Sequence, residues 1–266
     1  MKKRYQTILS IAGSDPIGGA GIQADIKTAT ALGSYAMTVI TAVTAQNSRG
    51  VAGYEAVSPS LLKLQLDTVL SDVTPDAVKI GMIPDAVSAD IIADAIERYG
   101  LSNVVLDPVM VSTSGHSLSS VTVIDVMRRR LIPSSLIITP NMPEAKELLG
   151  GFTSPEADVR RLAEMFTGTS VLLKGGHCPD AGYTTDYLCL DNKITEFRHP
   201  FFRTRNTHGT GCTLSSAIAS FLSQGFDLHT SVDRAVSWLN GAIEAGAGFS
   251  FGSPEGHGPV NHLYRI

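Results

Sequence analysis

The sequence predicts an α/β fold built on a mostly parallel sheet with an antiparallel edge, and three observations carry that reading. Short, uninterrupted apolar runs recur along the chain, at residues 7–12, 77–80, 104–107, 136–139 and 170–174. Segments of helical character lie between them, and strands apolar on both faces that alternate with helices belong in a parallel sheet covered on both sides. Near the C-terminal third the pattern changes. Residues 183–190 and 193–197 flank Asp191-Asn192, a two-residue hairpin signature that places an antiparallel pair at the sheet edge.

The elements follow in order. Residues 7–12 form a buried first strand stopped by Gly13, and a turn rich in glycine (Gly18, Gly19, Gly21) feeds a helix carrying Asp25 and Lys27. A second β-rich run over 36–45 ends in Gln46-Asn47-Ser48. Ser58 is placed to cap a helix with Pro59 at its first position and Leu61, Leu62, Leu66, Val69 and Leu70 as its apolar side. Strand 77–80 precedes a helix over about 86–99, and strand 104–107 precedes one over 121–131. Strand 136–139 carries Pro140-Asn141 at its tip before a helix from about Pro143. A further helix over about 155–166 leads to strand 170–174. Two helices, from about Thr213 and about Thr230, close the chain. No repeat, low-complexity run or linker interrupts residues 1–266, so a single domain is expected.

Composition narrows the function. Apolar content of 43%, charged content of 17% and a net charge of -4 describe a globular chain with no basic excess, which argues against a nucleic-acid partner. The three cysteines (Cys178, Cys189, Cys212) share no metal-ligand spacing, so neither a disulfide framework nor a zinc site is expected. Lys2, Lys3 and Arg4 ahead of the first apolar run faintly imitate a signal peptide. That run is too short, and no stretch reaches membrane-spanning length. A cytoplasmic protein without a membrane partner is the expectation.

The stretch Arg205 to Ala219 is where the chemistry is expected: a glycine-rich turn leading into a helix of small residues. The first turn of a helix has unpaired N–H groups and the positive end of the helix dipole, and Gly209 and Gly211 let the backbone wrap closely around an anion. Cys212 follows at once, where a helix N-terminus favours the thiolate. A loop that needs positive φ, with Cys212 as a packed small side chain, accounts for the same residues.

Other polar residues stand at strand ends: Asp15, Gln46, Asp107, Asn141 with Glu144, and Lys174, with Met82 beside them. Ligands of open α/β sheets bind beyond those ends, although Asp and Asn also cap helices and turns there. Gly19 to Ala24 matches the dinucleotide pattern G-x-G-x-x-A, but the acid expected after the second strand is replaced by Gln46-Asn47, with Arg49 nearby. No G-x-x-x-x-G-K-[ST] loop and no H-R-D or D-F-G set occurs. A cysteine hydrolase pairing Cys212 with His208 is conceivable. Phosphoryl transfer fits better: amides of Gly209 to Cys212 for the phosphate, Lys174 as cation, and Asp107 with Glu144 as carboxylates for Mg²⁺.

The segments Gly13-Ser14-Asp15, Gly18 to Asp25, Thr41 to Asn47, Lys79-Ile80-Gly81-Met82, Asp107 to Met110, Thr139 to Ala145, Lys174 to His177, Asn206 to Thr213 and Gly256 to His262 together resemble the hydroxymethylpyrimidine/phosphomethylpyrimidine kinases of thiamine biosynthesis. The resemblance covers essentially the whole chain in order. It implies a three-layer α/β/α ribokinase-like fold and an ATP-dependent kinase with Mg²⁺. The acceptors implied are 4-amino-5-hydroxymethyl-2-methylpyrimidine and then its monophosphate. Gly13, Ala20, Asp25, Gln46 and Met82 would bind the pyrimidine, Gln46 at its aminopyrimidine edge. Cys212 would take the place of the catalytic aspartate of other ribokinase-like enzymes, with Gly209 and Gly211 in the anion hole. Lys174, Asn141 and Thr207 would serve the ATP phosphates, and Asp107 and Glu144 the metal. Relatives with cysteine at this position also phosphorylate pyridoxal, pyridoxine or pyridoxamine, so a vitamin B6 kinase is the alternative. Homodimers are common in the family. A non-catalytic vitamin or nucleotide sensor on the same fold is disfavoured by the joint presence of Cys212, Lys174 and Glu144.

Overall fold

The structure, a computed structural model, describes residues 4–110, 121–175 and 182–266. Among these residues the strands are β1 (Thr7–Ser14), β2 (Tyr35–Asn47), β3 (Gly50–Ala56), β4 (Ala77–Ile80), β5 (Val104–Leu106), β6 (Ile137–Ile138), β7 (Ser170–Leu173), β8 (Tyr183–Leu190) and β9 (Lys193–Pro200). They form one sheet in the order β3-β2-β1-β4-β5-β6-β7-β8-β9. The run from β2 to β7 is parallel, and β3, β8 and β9 each lie antiparallel to their neighbours.

Both edges of the sheet are therefore antiparallel, where one was expected. The additional strand, β3, has no apolar alternation and two glycines, and its side chains are exposed or half-buried. Its strand character comes from the ladder with β2, which residue preferences do not reveal. The expected hairpin at the other edge turns through Asp191 and Asn192 at φ 50° and 61°, the left-handed pair that a two-residue turn requires.

The helices are α1 (Gly21–Ala31), α2 (Pro59–Leu70), α3 (Ala86–Tyr99), α4 (Val121–Val126, continued by a π-helical turn over Met127–Leu131), α5 (Met142–Leu149), α6 (Pro155–Met165), α7 (Thr210–Ser223) and α8 (Leu228–Gly246). Their apolar sides divide between two cores. Leu62, Ile92, Val123, Leu148 and Leu162, from α2 to α6, pack with Leu9, Ile11, Val78, Ile80, Leu106, Ile138 and Leu173. Ala29, Leu214, Ile218, Val232 and Trp238, from α1, α7 and α8, pack with Ile8, Ala77, Val105, Ile137 and Leu172 on the other face. The result is a three-layer α/β/α sandwich.

Strand alternation then fixes what α7 meets. Residues two apart share a face of a strand, so Lys79 follows Ala77, Asp107 follows Val105, Thr139 follows Ile137 and Lys174 follows Leu172 on the side of α1, α7 and α8. Each of these polar residues stands at or just past the carboxyl end of its strand. α1 leads from β1 to β2 on that face, whereas α2 returns the chain to β4 on the opposite one. The connections diverge between β1 and β4, which opens a crevice beyond the strand ends.

Helix starts are mostly self-sufficient. Ser58, Asp85, Asn141, Ser154 and Asp227 each accept a hydrogen bond from a first-turn amide. The helices that begin at the glycine loops differ: the N-caps of α1 and α7 are Ala20 and Gly209, and neither supplies a side-chain cap.

Candidate active site

The site grows from the start of α7. Gly209 sits at φ 81°, a left-handed conformation suited to glycine, and its Cα lies against the backbone carbonyl of Gly19, leaving no room for a Cβ. The first bond of the helix runs from Thr213 N to Gly209 O at 2.8 Å, so the Gly211 and Cys212 amides stand ahead of the helical ladder. Gly211 passes next to Asp107 and Lys174: a Cβ there would lie 3.3 Å from both Asp107 Oδ2 and Lys174 Nζ. Thr207 is half-buried one turn earlier, its carbonyl accepting from Thr210 N at 3.3 Å.

The sheet supplies a charged cluster facing this turn. Lys174 Nζ donates to Asp107 Oδ1 at 2.9 Å and lies 3.9 Å from Glu144 Oε2, while Thr139 Oγ1 donates to Asp107 Oδ1 at 3.1 Å. Asn141 and Glu144 form a reciprocal capping box at the start of α5, with Glu144 N to Asn141 Oδ1 at 2.9 Å and Asn141 N to Glu144 Oε2 at 2.8 Å. The pairing of Asn141 with Lys174 across an isolated bridge brings these groups together. Burial opposes the Lys174 charge, but Asp107 and Glu144 outweigh it and hold the ammonium protonated. Burial pushes the Glu144 carboxyl up to about 7; Lys174 pulls it back down and Asp107 adds to the rise.

The loop after β1 closes the other side. Asp15 accepts from the amides of Gly19 and Ala20 at 2.9 and 2.8 Å, and its Oδ2 pairs with His208 Nε2 at 2.9 Å. Burial opposes the Asp15 charge, yet His208 and the amides hold its carboxyl below the ordinary value. The first glycine loop is thereby tied to the residue before Gly209. Beside it Met82, Ala42 and Val109 form a small apolar cluster, with Met82 Sδ against Gly13. Gln46 donates to Thr44 Oγ1 at 2.9 Å, and Thr44 donates to Ser14 O at 2.8 Å, which anchors Gln46 to the end of β1.

Two expectations change. Asp25 does not face the crevice: its side chain is 0% exposed and is held by Lys79, also 0% exposed, and by Ser10 and Ser216. Nor does Cys212 rest as a thiolate. Burial raises its thiol to about 11, the Asp25 and Asp107 carboxylates add to that rise, and the opposing Lys79 charge and Gly21 amide do not overcome it. The sequence showed the helix terminus but not the desolvation or the carboxylates. Sequence reasoning gives Lys79 no role, and His208 one only in the hydrolase alternative, although a lysine in a four-residue strand of otherwise apolar residues is itself a signal. Gly176, His177 and Cys178 lie outside the described residues.

Residues 15–261 match the family described as phosphomethylpyrimidine kinase. The chain belongs to that family. It is 40% identical over 258 residues to the hydroxymethylpyrimidine/phosphomethylpyrimidine kinase of Bacillus subtilis, covering 96% of this chain and 94% of the relative. The Escherichia coli protein of the same name is 42% identical over 261 residues, covering 96% and 97%. A 44% identical relative, a thiamine biosynthesis bifunctional protein of Geobacter sulfurreducens, is longer, and this chain spans 52% of it. Among solved structures, a phosphomethylpyrimidine kinase of Clostridium difficile aligns at TM-score 0.78 and 39% identity over 89% of this chain and 99% of that one. A pyridoxal kinase of Bacillus subtilis, solved as an ADP complex, aligns at TM-score 0.86 and 30% identity over 97% and 98%.

Two measurements follow for this phosphomethylpyrimidine kinase family member. Gly209→Ala forces a Cβ into both an unfavourable φ and the Gly19 carbonyl, so a loss of about 1–3 kcal/mol of stability is expected by thermal unfolding. Turnover should fall by at least about tenfold, because the first turn of α7 is displaced. The second concerns Glu144. A carboxyl raised by folding retains a proton that the unfolded chain has released. Stability from this group is therefore present below the ordinary glutamate range and lost as pH rises through about 7. Glu144→Gln preserves the capping box and removes that dependence. Between about pH 5 and about pH 8 the Tm difference should move steadily in favour of the variant.

Proposed function

We propose that this kinase phosphorylates the hydroxymethyl group of 4-amino-5-hydroxymethyl-2-methylpyrimidine with ATP and then phosphorylates the resulting monophosphate, yielding the pyrophosphate used in thiamine biosynthesis. The observation that carries the reading is the uncapped start of α7 set between two unlike surroundings. On one side stand Asp107, Lys174, Asn141 and Glu144; on the other, the small apolar cluster of Met82, Ala42 and Val109 beside Gly13. The first suits phosphates and the second suits a small heteroaromatic ring.

In this reading the amides of Gly211 and Cys212 receive the transferred phosphate, with Lys174, Asn141 and Thr207 on the ATP phosphates. Gly13, Ala20, Gln46 and Met82 seat the ring, Gln46 by its amide and Met82 by its side chain. Asp107 and Glu144 are the carboxylates for Mg²⁺. Among the described residues no group of three or more ligating side chains gathers, and a pair of carboxylates is the donor set that suits Mg²⁺ shared with phosphate oxygens and water. The ion, when bound, neutralises phosphate charge. Asp25 leaves the list of ring contacts and takes a place behind the site.

Cys212 keeps its proton in the resting site. It therefore orients the acceptor hydroxyl instead of removing its proton in advance. The hydroxyl oxygen bonds to the γ-phosphorus as the bond to the bridging oxygen of ADP breaks, its proton passing late to an oxygen of the transferred phosphoryl group, and little base strength is needed early in so loose a transition state. A protein without a membrane-spanning helix among the described residues fits a cytoplasmic enzyme. A homodimer fits the exposed Val43 and Tyr54 on the β2–β3 edge.

The test is a coupled ADP-release assay with Mg·ATP and each acceptor in turn. Turnover on the pyrimidine and on its monophosphate supports the reading; turnover on pyridoxal alone replaces it with a vitamin B6 kinase, the activity named for several structural neighbours. Cys212→Ala should lower kcat by about 100-fold with KM for the acceptor little changed, as expected for a group that acts mainly in the transition state. Near-normal kcat in that variant would leave the backbone amides as the main contributors.

A further inference from the structure

Behind the crevice, α1 and α7 pack together, with Gly21 at the start of one and Cys212 in the first turn of the other. Four residues further along each helix, on the same face, Asp25 meets Ser216, whose hydroxyl donates to Asp25 Oδ1 at 2.6 Å. The carboxylate is completed from the sheet. Lys79 Nζ of β4 lies 2.9 and 2.8 Å from its two oxygens, and Ser10 of β1 donates to Oδ2 at 2.5 Å. Lys79 reaches this point by running along β4 toward its carboxyl end: a Cβ on Gly81 would lie 2.8 Å from Nζ.

A fully buried ion pair is weak evidence for stability, because desolvation cancels most of the attraction and apolar replacements often do as well. Its location explains it better. Four elements, α1, β1, β4 and α7, converge on one carboxylate one helical turn behind Cys212. We propose that Asp25 and Lys79 are positioning residues for phosphoryl transfer: through Ser216 the pair fastens the first turn of α7, and it sets a fixed ammonium behind Cys212. The inference rests on the kinase reading above for the reaction it serves. Other groups facing this turn are Asp107 and Lys174 from the sheet, His208 from the preceding loop, and His262, whose Nε2 pairs with Thr213 at 2.9 Å.

The test uses two variants. Lys79→Met with Asp25→Asn removes both charges but keeps the shape, one serine still donating to the carboxamide oxygen and the other turning to accept from its NH2; Ser216→Ala removes only the link to α7. Each is measured for thermal unfolding, for kcat and KM with Mg·ATP and the pyrimidine, and for the alkylation rate of Cys212 at a fixed alkaline pH in ligand-free protein. The double variant should alkylate about threefold more slowly, since Lys79 acts on the thiol more strongly than the Asp25 charge that partly offsets it, and Ser216→Ala should lower kcat by about tenfold at unchanged KM. A folded double variant with wild-type kcat and alkylation rate overturns the proposal. If the double variant does not fold, Ser216→Ala decides: kcat and alkylation within about twofold of wild type also overturn it. Absence of turnover in the wild type, with the alkylation difference intact, would overturn the kinase reading and leave the role of the pair in setting Cys212.

Discussion

The start of α7 is the constraint around which the other elements are placed. A helix that begins on a glycine in the left-handed region, with no side-chain cap, leaves partial positive charge and unpaired amides at one point. Water can satisfy such a terminus on an open surface. Here the terminus is enclosed by the first glycine loop and by the carboxyl ends of β4 to β7, and the surrounding side chains must be compatible with both its charge and an arriving anion. Asp107 is turned toward it but is paired with Lys174, which also lies 3.9 Å from Glu144. The arrangement keeps the turn available.

Much of this was legible from the chain because two periodicities agree. Runs such as 77–80 and 170–174 announce buried parallel strands, and the polar residue that ends each run falls where ligands bind in such sheets. Lys174, Asp107 and the Asn141–Glu144 box were therefore visible as a set before any distance was known. What alternation alone shows is the face: the parity that puts Val105 and Leu172 under α7 also puts Asp107 and Lys174 there. The misses have equally specific causes. β3 is a strand by virtue of its partner and not of its residues. Asp25 follows the glycine loop closely enough to suggest a ligand contact, but lies one turn into α1, where the same face that approaches the crevice at Gly21 points into the interior four residues later.

Cys212 shows why a local rule can fail when its surroundings are not counted. A helix N-terminus stabilises a thiolate, and taken alone that effect makes Cys212 a base. The half-buried packing around the thiol raises its proton affinity, and the Asp25 and Asp107 carboxylates that add to the rise are each held in an ion pair with a lysine. Lys79 favours the ionised form, as does Lys174, and Asp25 offsets part of the Lys79 effect. A permanently ionised cysteine next to the anion hole would repel the phosphate that the hole is built to receive. A protonated thiol leaves the positive potential of the helix start to the phosphate and can hydrogen-bond the acceptor oxygen, while the hydroxyl proton passes to an oxygen of the transferred phosphoryl group as the new O–P bond forms. On this account the raised proton affinity of Cys212 follows from burial and from the Asp25 and Asp107 carboxylates, and the Lys79 charge behind it limits how far that affinity rises.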